Sequence, residues 1–407
     1  MSQPKANVII GNGNLGSQAQ SEDGTCGLIV SGIAVGGKFA LGDVLGPIAS
    51  LADAEALGID AAYDATNTCL AHKHISDFYN NAPNGTLLYV MVVAKTVYLT
   101  PITLKTNAYA KKLLATANGK IKLLGITLVP DGGYTPTYSG QFEADLASAI
   151  VNAKALLLEE EGLYRYCRII LEGRNFQGNA SSSVDLTDVA GATANRVGVV
   201  MYNDNDFITA NSYANKMASV GDYLGLASVL PVQRSTARVK NGPNTITNPG
   251  YSNGAAYSSL TDTNRDTLND HGYVFLKQHV QKAGYYINLD SMAAPLTDDY
   301  CTLKRGRVID KMASIAREIY TNDIEDDIDI DPASGKLPVA VCKAFQGEIE
   351  TAINQRMVQK GELSAVKAFV NPDQNVFTSG EIVVEVNGVP KGEVKTVTAK
   401  IAYKTSV

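Results

Sequence analysis

Between residues 26 and 230 short apolar runs alternate with longer helical patterns, and few folds satisfy that order. The runs CGLIVSGIA, TLLYVMVV, KIKLLGITLVP, YCRIILEG and RVGVVMY are rich in Val, Ile, Leu and Tyr. Several are apolar almost throughout, as expected of strands covered on both faces. Between them, SLADAEALG, TNAYAKKLLATA, EADLASAIVNAKALLLEE and TANSYANKMASVGDYLGLA carry helix-forming residues or apolar residues three and four apart. Strand, helix, strand, helix predicts a mainly parallel α/β sheet.

From Pro231 to about Thr263 the order stops. STARVKNGPNTITNPGYSNGAAYSSLTDTN is dense in Asn, Gly, Ser, Thr and Pro, which predicts a long surface excursion. Beyond it GYVFLKQHV and GYYINLD predict a strand pair around QKAG. Two helices follow, one with a stripe of Val308, Met312, Ile315, Ala316 and Ile319, the other with Phe345, Ile349, Ala352, Ile353 and Met357. EIVVEVNGV reads as a strand with a turn signal at Asn387-Gly388.

The chain ends on GEVKTVTAKIAYKTSV, where Val397, Ala399, Ile401 and Tyr403 alternate with Thr396, Thr398, Lys400 and Lys404. That is the pattern of a half-buried strand, and the stretch from Val394 to Tyr403 reaches ~33 Å when extended, at roughly 3.3 Å per residue. Such a strand either pairs within its own domain or adds to the sheet of a neighbouring copy. The expected organisation is an N-terminal segment 1–25, an α/β region 26–230, the polar excursion 231–263, an α+β unit 264–390 and a terminal strand 391–407.

A chain of 407 residues has room for two or three domains with separate cores. With 19% charged residues and a net charge of -6, it has no global basic character, which argues against nucleic acid and anionic membrane as partners. Five dispersed cysteines, Cys26, Cys69, Cys167, Cys301 and Cys342, show no metal-ligand spacing and fit free thiols in a reducing compartment. MSQPKANVII lacks the features of a signal peptide, and no run of about 18 apolar residues is present to span a bilayer. Synthesis and first folding in the cytoplasm are expected.

Three motifs suggest chemistry and fall short of it. GNGNLG supplies Gly11, Gly13 and Gly16, but Gly24 and Gly27 interrupt any helix that could receive phosphates, and no carboxylate follows at the ribose-binding distance. CLAHKHISD gathers Cys69, His72, His74 and Asp77; histidines two apart on a helix diverge, so a solvated helix is expected. DIEDDIDIDPASG lacks the Gly and Glu of a calcium loop, and Ile328 to Asp331 reads as a short strand with an acidic face. No hydrolase or P-loop signature is present. The expectation is a non-enzymatic protein with no cofactor and no metal.

The second half also carries a family resemblance. GYYINLDSMAAPLTDDYCTLKRGRVIDKMASIAREIY joins a Tyr-rich strand, a Thr-Asp-Asp-Tyr segment and an Arg-x-x-Asp-Lys helix start. IDPASGKLP, a long helix, GELSAVKAFVNPDQNVFTSG and two terminal strands complete the order. In this order the chain resembles the C-terminal core of contractile tail sheath proteins of phages, tailocins and related contractile injection particles. Upstream, HISDFYNNAPNGTLLYVMVV resembles the N-terminal part of the same family.

The resemblance implies a multi-domain α/β and α+β subunit with mixed sheets and extended terminal arms. Such subunits form stacked, six-membered rings around an inner tube, are assembled in the bacterial cytoplasm with baseplate and terminator proteins, and contract to drive the tube through an envelope. It implies that Val394, Val397, Ala399, Ile401 and Tyr403 lie on a donated C-terminal strand, and Val8, Ile9 and Ile10 on an N-terminal one. Lys391, Lys395, Lys400 and Lys404 are then expected to oppose premature pairing. The inner surface, which must hold the tube and release it, suits a few charges. Candidates are Lys304, Arg305, Arg307 and Lys311 on the first C-terminal helix, and Lys343, Arg356 and Lys360 on the second. Two other readings stay open: a soluble α/β nucleotide-binding enzyme using the Gly11 loop, and another oligomeric particle component such as a capsid or adhesin protein.

Overall fold

Seven strands make the sheet that the apolar runs predict. The computed structural model describes residues 22–401 except 107, 190–193, 396 and 400. In chain order the strands are β1 (Cys26–Gly32), β2 (Val44–Ile48), β3 (Leu88–Ala94), β4 (Leu123–Thr127), β5 (Arg168–Glu172), β6 (Val197–Val200) and β7 (Tyr273–Val274). They lie in the order β7-β6-β5-β4-β1-β3-β2. Every neighbouring pair is parallel except β2 with β3. All residues of β1, β4, β5 and β6 are buried, which is why these segments are apolar without alternation.

The helices that cover the sheet are α1 (Ala71–Asn81), α2 (Ala110–Ala117), α3 (Ala144–Gly162) and α4 (Val220–Val229). The chain crosses from β1 to β3 in one direction and from β3 through β4 to β5 in the other. Right-handed crossovers therefore put α1 on one face and α2 and α3 on the other. Against α1 lies α4, and a Cβ at Gly221 or Gly225 would stand 2.1 Å or 2.4 Å from the backbone oxygen of His74 or Phe78. Glycines four apart share one helix face, so the two helices meet backbone to backbone. Gly125 of β4 gives the same close approach from below, since its Cβ would meet Leu224 at 2.4 Å.

Several expectations change here. The helix expected over residues 209–227 is confined to Val220–Val229, preceded by a short α-helix, Asn205–Ala210, and a 3-10 turn, Ser212–Ala214. Part of the polar stretch 231–263 turns inward: Tyr251 is 1% exposed, and Asn244 Nδ2 and Thr245 Oγ1 donate to the buried carboxylate of Asp222 at 2.8 Å and 3.0 Å. Tyr202 and Asn81 donate to the same carboxylate at 2.6 Å and 2.8 Å, so Asn244 and Thr245 complete a hydrogen-bonded carboxylate. The strand pair around QKAG is present as Leu276–Gln278 with Tyr285–Ile287.

The chain divides into two compact units, one made of the chain up to Leu230 with Arg234–Gly306, the other of Pro231–Gln233 with the chain from Arg307. Residues 264–306, expected with the C-terminal unit, thus belong with the larger one, where β7 closes the sheet edge. The smaller unit contains most of α5 (Leu303–Tyr320), α6 (Val339–Ile353), and the antiparallel hairpin of β8 (Leu363–Val370) and β9 (Val384–Pro390). Its core joins Val308, Met312 and Ile315 of α5 to Ile349 and Ile353 of α6, Met357, and Leu363 and Ala368 of β8. These are the helix stripes read from the sequence.

Asn387-Gly388 is not a turn, because both residues lie within β9, opposite Lys367 and Val366. A Cβ on Gly388 would meet the Met312 sulfur at 2.7 Å, so this glycine makes room for a core side chain. The acidic stretch forms turns and irregular chain instead of a strand. Asp331 accepts from the Ala333 N–H and the Ser334 hydroxyl, each at 2.9 Å, which bends the backbone back on itself.

Candidate functional site

The described part of the terminal stretch, expected as a half-buried strand, pairs with no strand of its own chain. None of the described residues from Lys391 to Ile401 lies in a strand, and all of them are exposed. Val394, Val397 and Ile401 are 77%, 83% and 94% exposed, and Ala399 is exposed beside them. Tyr403 and the N-terminal candidates Val8, Ile9 and Ile10 lie outside the described residues. Large exposed apolar side chains also gather on the unit from which this segment leaves: Phe369, Phe377, Val383 and Val389 are at least half exposed. Phe369 and Val389 share one face of the hairpin, since each stands opposite an odd-numbered partner in the register, Glu385 and Ala365.

That hairpin has two strands and therefore two edges, and they differ. The Ala368 N–H of β8 donates to Glu350 Oε1 at 2.8 Å, away from β9. Residues opposite one another in an antiparallel pair direct their N–H and C=O groups alike, both inward or both outward. Val366, Ala368 and Val370 therefore face the outer edge of β8, and their partners Gly388, Val386 and Val384 face the outer edge of β9. Glu350 projects from α6 and also pairs with Lys367 Nζ at 3.0 Å, holding its carboxylate across the β8 edge. Among the described residues, nothing bonds to the outward groups of Val384, Val386 and Gly388. Just before β9 begins, Gln374 exchanges two hydrogen bonds with the Val383 backbone at 2.7 Å and 3.0 Å, on the inner side of the hairpin's own connection.

The basic candidates separate by burial. Lys304 and Arg307, expected on an outward face, are only 8% and 4% exposed, so neither presents its charge to a partner from this conformation. Lys311 is paired with Glu362 at 2.8 Å, and Arg305 is half-buried with a guanidinium nitrogen 3.9 Å from the Cys301 sulfur. The amphipathic pattern places α5 but does not show that its basic residues fall on the covered side. Arg356 is held by Glu318 at 2.8 Å, yet its side chain remains 42% exposed. Lys343 and Lys360 are exposed, the former 2.9 Å from Gln346.

The enzyme-like motifs meet different fates in this fold. Gly11, Gly13 and Gly16 lie outside the described residues, and the end of β1 runs through a tight bridge of Val35 with Phe39 into β2, where no helix starts. His74 is not on a solvated face as expected; it is fully buried, with Nε2 2.9 Å from the Thr127 hydroxyl, and burial pushes its pKa down to about 3. His72 sits near Glu55 at 3.4 Å. Glu172 is buried at the end of β5, accepts from the Leu128 and Ala218 N–H groups at 2.8 Å each, and is raised to about 7 by burial. His74 and Glu172 tie strands to loops and helices inside the core. Among the described residues no group of three or more His, Cys, Asp or Glu is placed to share a metal ion, and no helix is long and apolar enough to cross a membrane.

Comparison with known proteins joins the two units into one family pattern. The family model described as the DUF2586 N-terminal domain matches residues 3–290, and the DUF2586 C-terminal domain matches residues 299–406. No curated protein matches the chain. Among solved structures, the anti-feeding prophage helical sheath in its contracted state is similar with a TM-score of 0.63 at 14% identity, covering 99% of this chain and 100% of that one. A chain of the six-fold symmetrised anti-feeding prophage baseplate gives 0.62 at 13% identity, with 100% of both chains covered. The contracted sheath complex of an extracellular contractile injection system, PVC, gives 0.59 at 12% identity over 100% of this chain and 98% of that one. The chain therefore belongs to the DUF2586 family, and its α/β and α+β architecture is a contractile-sheath fold.

Proposed function

We propose that this protein is the structural subunit of a contractile sheath. In this reading copies assemble as stacked, six-membered rings around an inner tube, on a baseplate, and the stack shortens to drive the tube through an envelope. The observation that carries it is the exposed terminal segment beside a two-stranded sheet with an open edge, in a chain that shares its fold with sheath proteins end to end. A long apolar segment and an unpaired edge are aggregation liabilities in a lone subunit; in an ordered polymer they complement each other. Val394 then begins the donated strand and Val397, Ala399, Ile401 and Tyr403 form its apolar face, with Val8, Ile9 and Ile10 its N-terminal counterpart. Contraction is a change between two packings of rigid units joined by such strands, and needs no nucleotide chemistry in the subunit. Lys343, Arg356 and Lys360 are the remaining tube-facing candidates, as charges that can hold and release a partner.

The test is negative-stain electron microscopy of the full-length chain beside a chain ending at Gly392, each with and without tube and baseplate nucleators. Striated hollow tubes from the full chain only are the expected result. Failure of the full chain to form tubes with nucleators overturns the sheath reading.

A further inference from the structure

The two edges of the β8–β9 hairpin are not equivalent acceptors. We infer that the β9 edge is the open acceptor for residues 392–407 of a second copy, and that Glu350 is a guard that keeps the β8 edge closed until its side chain is displaced. The inference rests on the strand-donation part of the proposed function and adds which edge is used and what controls the other.

Three observations point the same way. The outward backbone groups of Val384, Val386 and Gly388 have no partner among the described residues, whereas the outward Ala368 N–H is already taken by Glu350 at 2.8 Å. A strand arriving at the β8 edge must first break that bond and the ion pair of Glu350 with Lys367, and the side chain must leave the path of the new ladder. Charge also discriminates. The incoming segment is basic, with Lys395, Lys400 and Lys404 against Glu393. On β9 the exposed Glu385 has no cationic partner among the described residues, so it attracts this segment. On β8 the carboxylate of Glu350 is already met by Lys367 at 3.0 Å, so that edge offers the segment no unpaired charge.

Length fits as well. The outward groups of β9 run from Val384 to Gly388, a span shorter than the alternating stretch from Val394 to Tyr403, so one segment covers the edge with residues to spare. Closure by Glu350 then makes loading sequential. The first strand binds the open edge without rearrangement, and a second strand joins only when something, such as a lysine of an arriving segment, draws Glu350 away from Ala368.

The test is stoichiometry. A fluorescent peptide of residues 392–407, GEVKTVTAKIAYKTSV, is titrated onto the full-length chain and its variants. We expect one peptide per wild-type chain and two per Glu350→Ala chain. Val386→Pro removes one outward N–H without touching the β8 ladder, and should bind none; Val386→Pro with Glu350→Ala should bind one. Circular dichroism and a melt check each variant, and if Val386→Pro does not fold, Glu385→Lys replaces it, with at least five-fold weaker binding expected at low salt. Two peptides on the wild type, or one on Glu350→Ala, overturns the guard; no peptide on the wild type overturns the open edge. These results are separable from the sheath reading. Tubes without the one-to-two change sink only the guard, and the one-to-two change without tubes leaves the edges and sinks the sheath.

Discussion

The seven-stranded sheet and the two-stranded hairpin solve the same problem with opposite outcomes. In the larger unit, strands that lack alternation are buried on both faces, helices meet backbone to backbone, and the edges are formed by the short β2 and β7. In the smaller unit, alternation leaves Phe369 and Val389 in solvent, the β9 edge has no partner among the described residues, and the chain leaves as an exposed segment. The first buries its central strands within one chain; the second leaves a strand edge without a partner among the described residues. Under the proposed function, the open edge of the hairpin is where copies join.

The largest effect should come from the larger unit's tightest approach. Gly221→Ala places a methyl group 2.1 Å from the His74 backbone oxygen, and no rotamer relieves a clash with backbone. Chemical denaturation should show a loss of about 3 kcal/mol or more; a loss under about 1 kcal/mol would mean the helices part easily. Next is Met312→Ala in the smaller core, where deleting a buried side chain should cost ~2–4 kcal/mol. Hydrogen exchange should show that loss in β8 and β9 before β1 and β4, if the units are separate cooperative bodies.

The units should also answer pH with opposite sign. Burial raises Glu172 from the ordinary 4.5 to about 7. Between those values the folded state holds a proton that the unfolded state has released, so stability falls as pH rises through that window. In the smaller unit Glu350 is held below its ordinary value, first by the Ala368 N–H and then by Lys367, and Glu318 is lowered by Arg356. Their contribution is present above the ordinary carboxylate value and is lost as pH falls below it. Melts at pH 8 and pH 5.5 should therefore show the larger unit less stable at the higher pH, with Glu172→Gln flattening the difference. An unchanged slope in Glu172→Gln would assign the effect to another buried group, Asp77 being the nearest in kind since burial raises it to about 7 too.

Smaller still is Gly388→Ala. Its Cβ meets the flexible end of Met312, so a shift of that side chain should limit the cost to about 1 kcal/mol. Smallest is removal of the residues after Gly392. The described residues there are exposed and outside any strand, so the melting temperature of the lone chain should not move, even though assembly is expected to fail. A clear loss of stability in the truncated monomer would show that the segment completes its own chain.

Much of the fold was legible because it rests on short-range patterns. The unbroken apolar runs gave the parallel strands, and the stripes of Val308, Met312, Ile315 and of Ile349, Ile353, Met357 gave the two helices and the face each buries. The glycines of GDYLG, four apart, were the missed signal for the closest helix contact. The candidate surface was half legible: the alternation of the terminal segment was visible, but the guard was not, because Glu350 and Ala368 are far apart in the chain and no local pattern links a helix carboxylate to a strand N–H. The same limit explains Lys304 and Arg307, whose type suggested an outward face and whose burial depends on what surrounds α5.

The order of residues was enough to say which segments are strands and helices, which faces are apolar, and that the chain ends on a strand pattern, because periodicity is set by the two to four residues that share a face. It took the folded chain to show that Asn244 and Thr245 of the polar stretch turn in to Asp222, that Gly388 yields to Met312 rather than turning the chain, and that Glu350 takes an outward N–H of one hairpin edge while the other edge has no partner among the described residues. Burial, close approach and edge pairing are contacts between residues distant in sequence, and their outcome depends on the assembled neighbours.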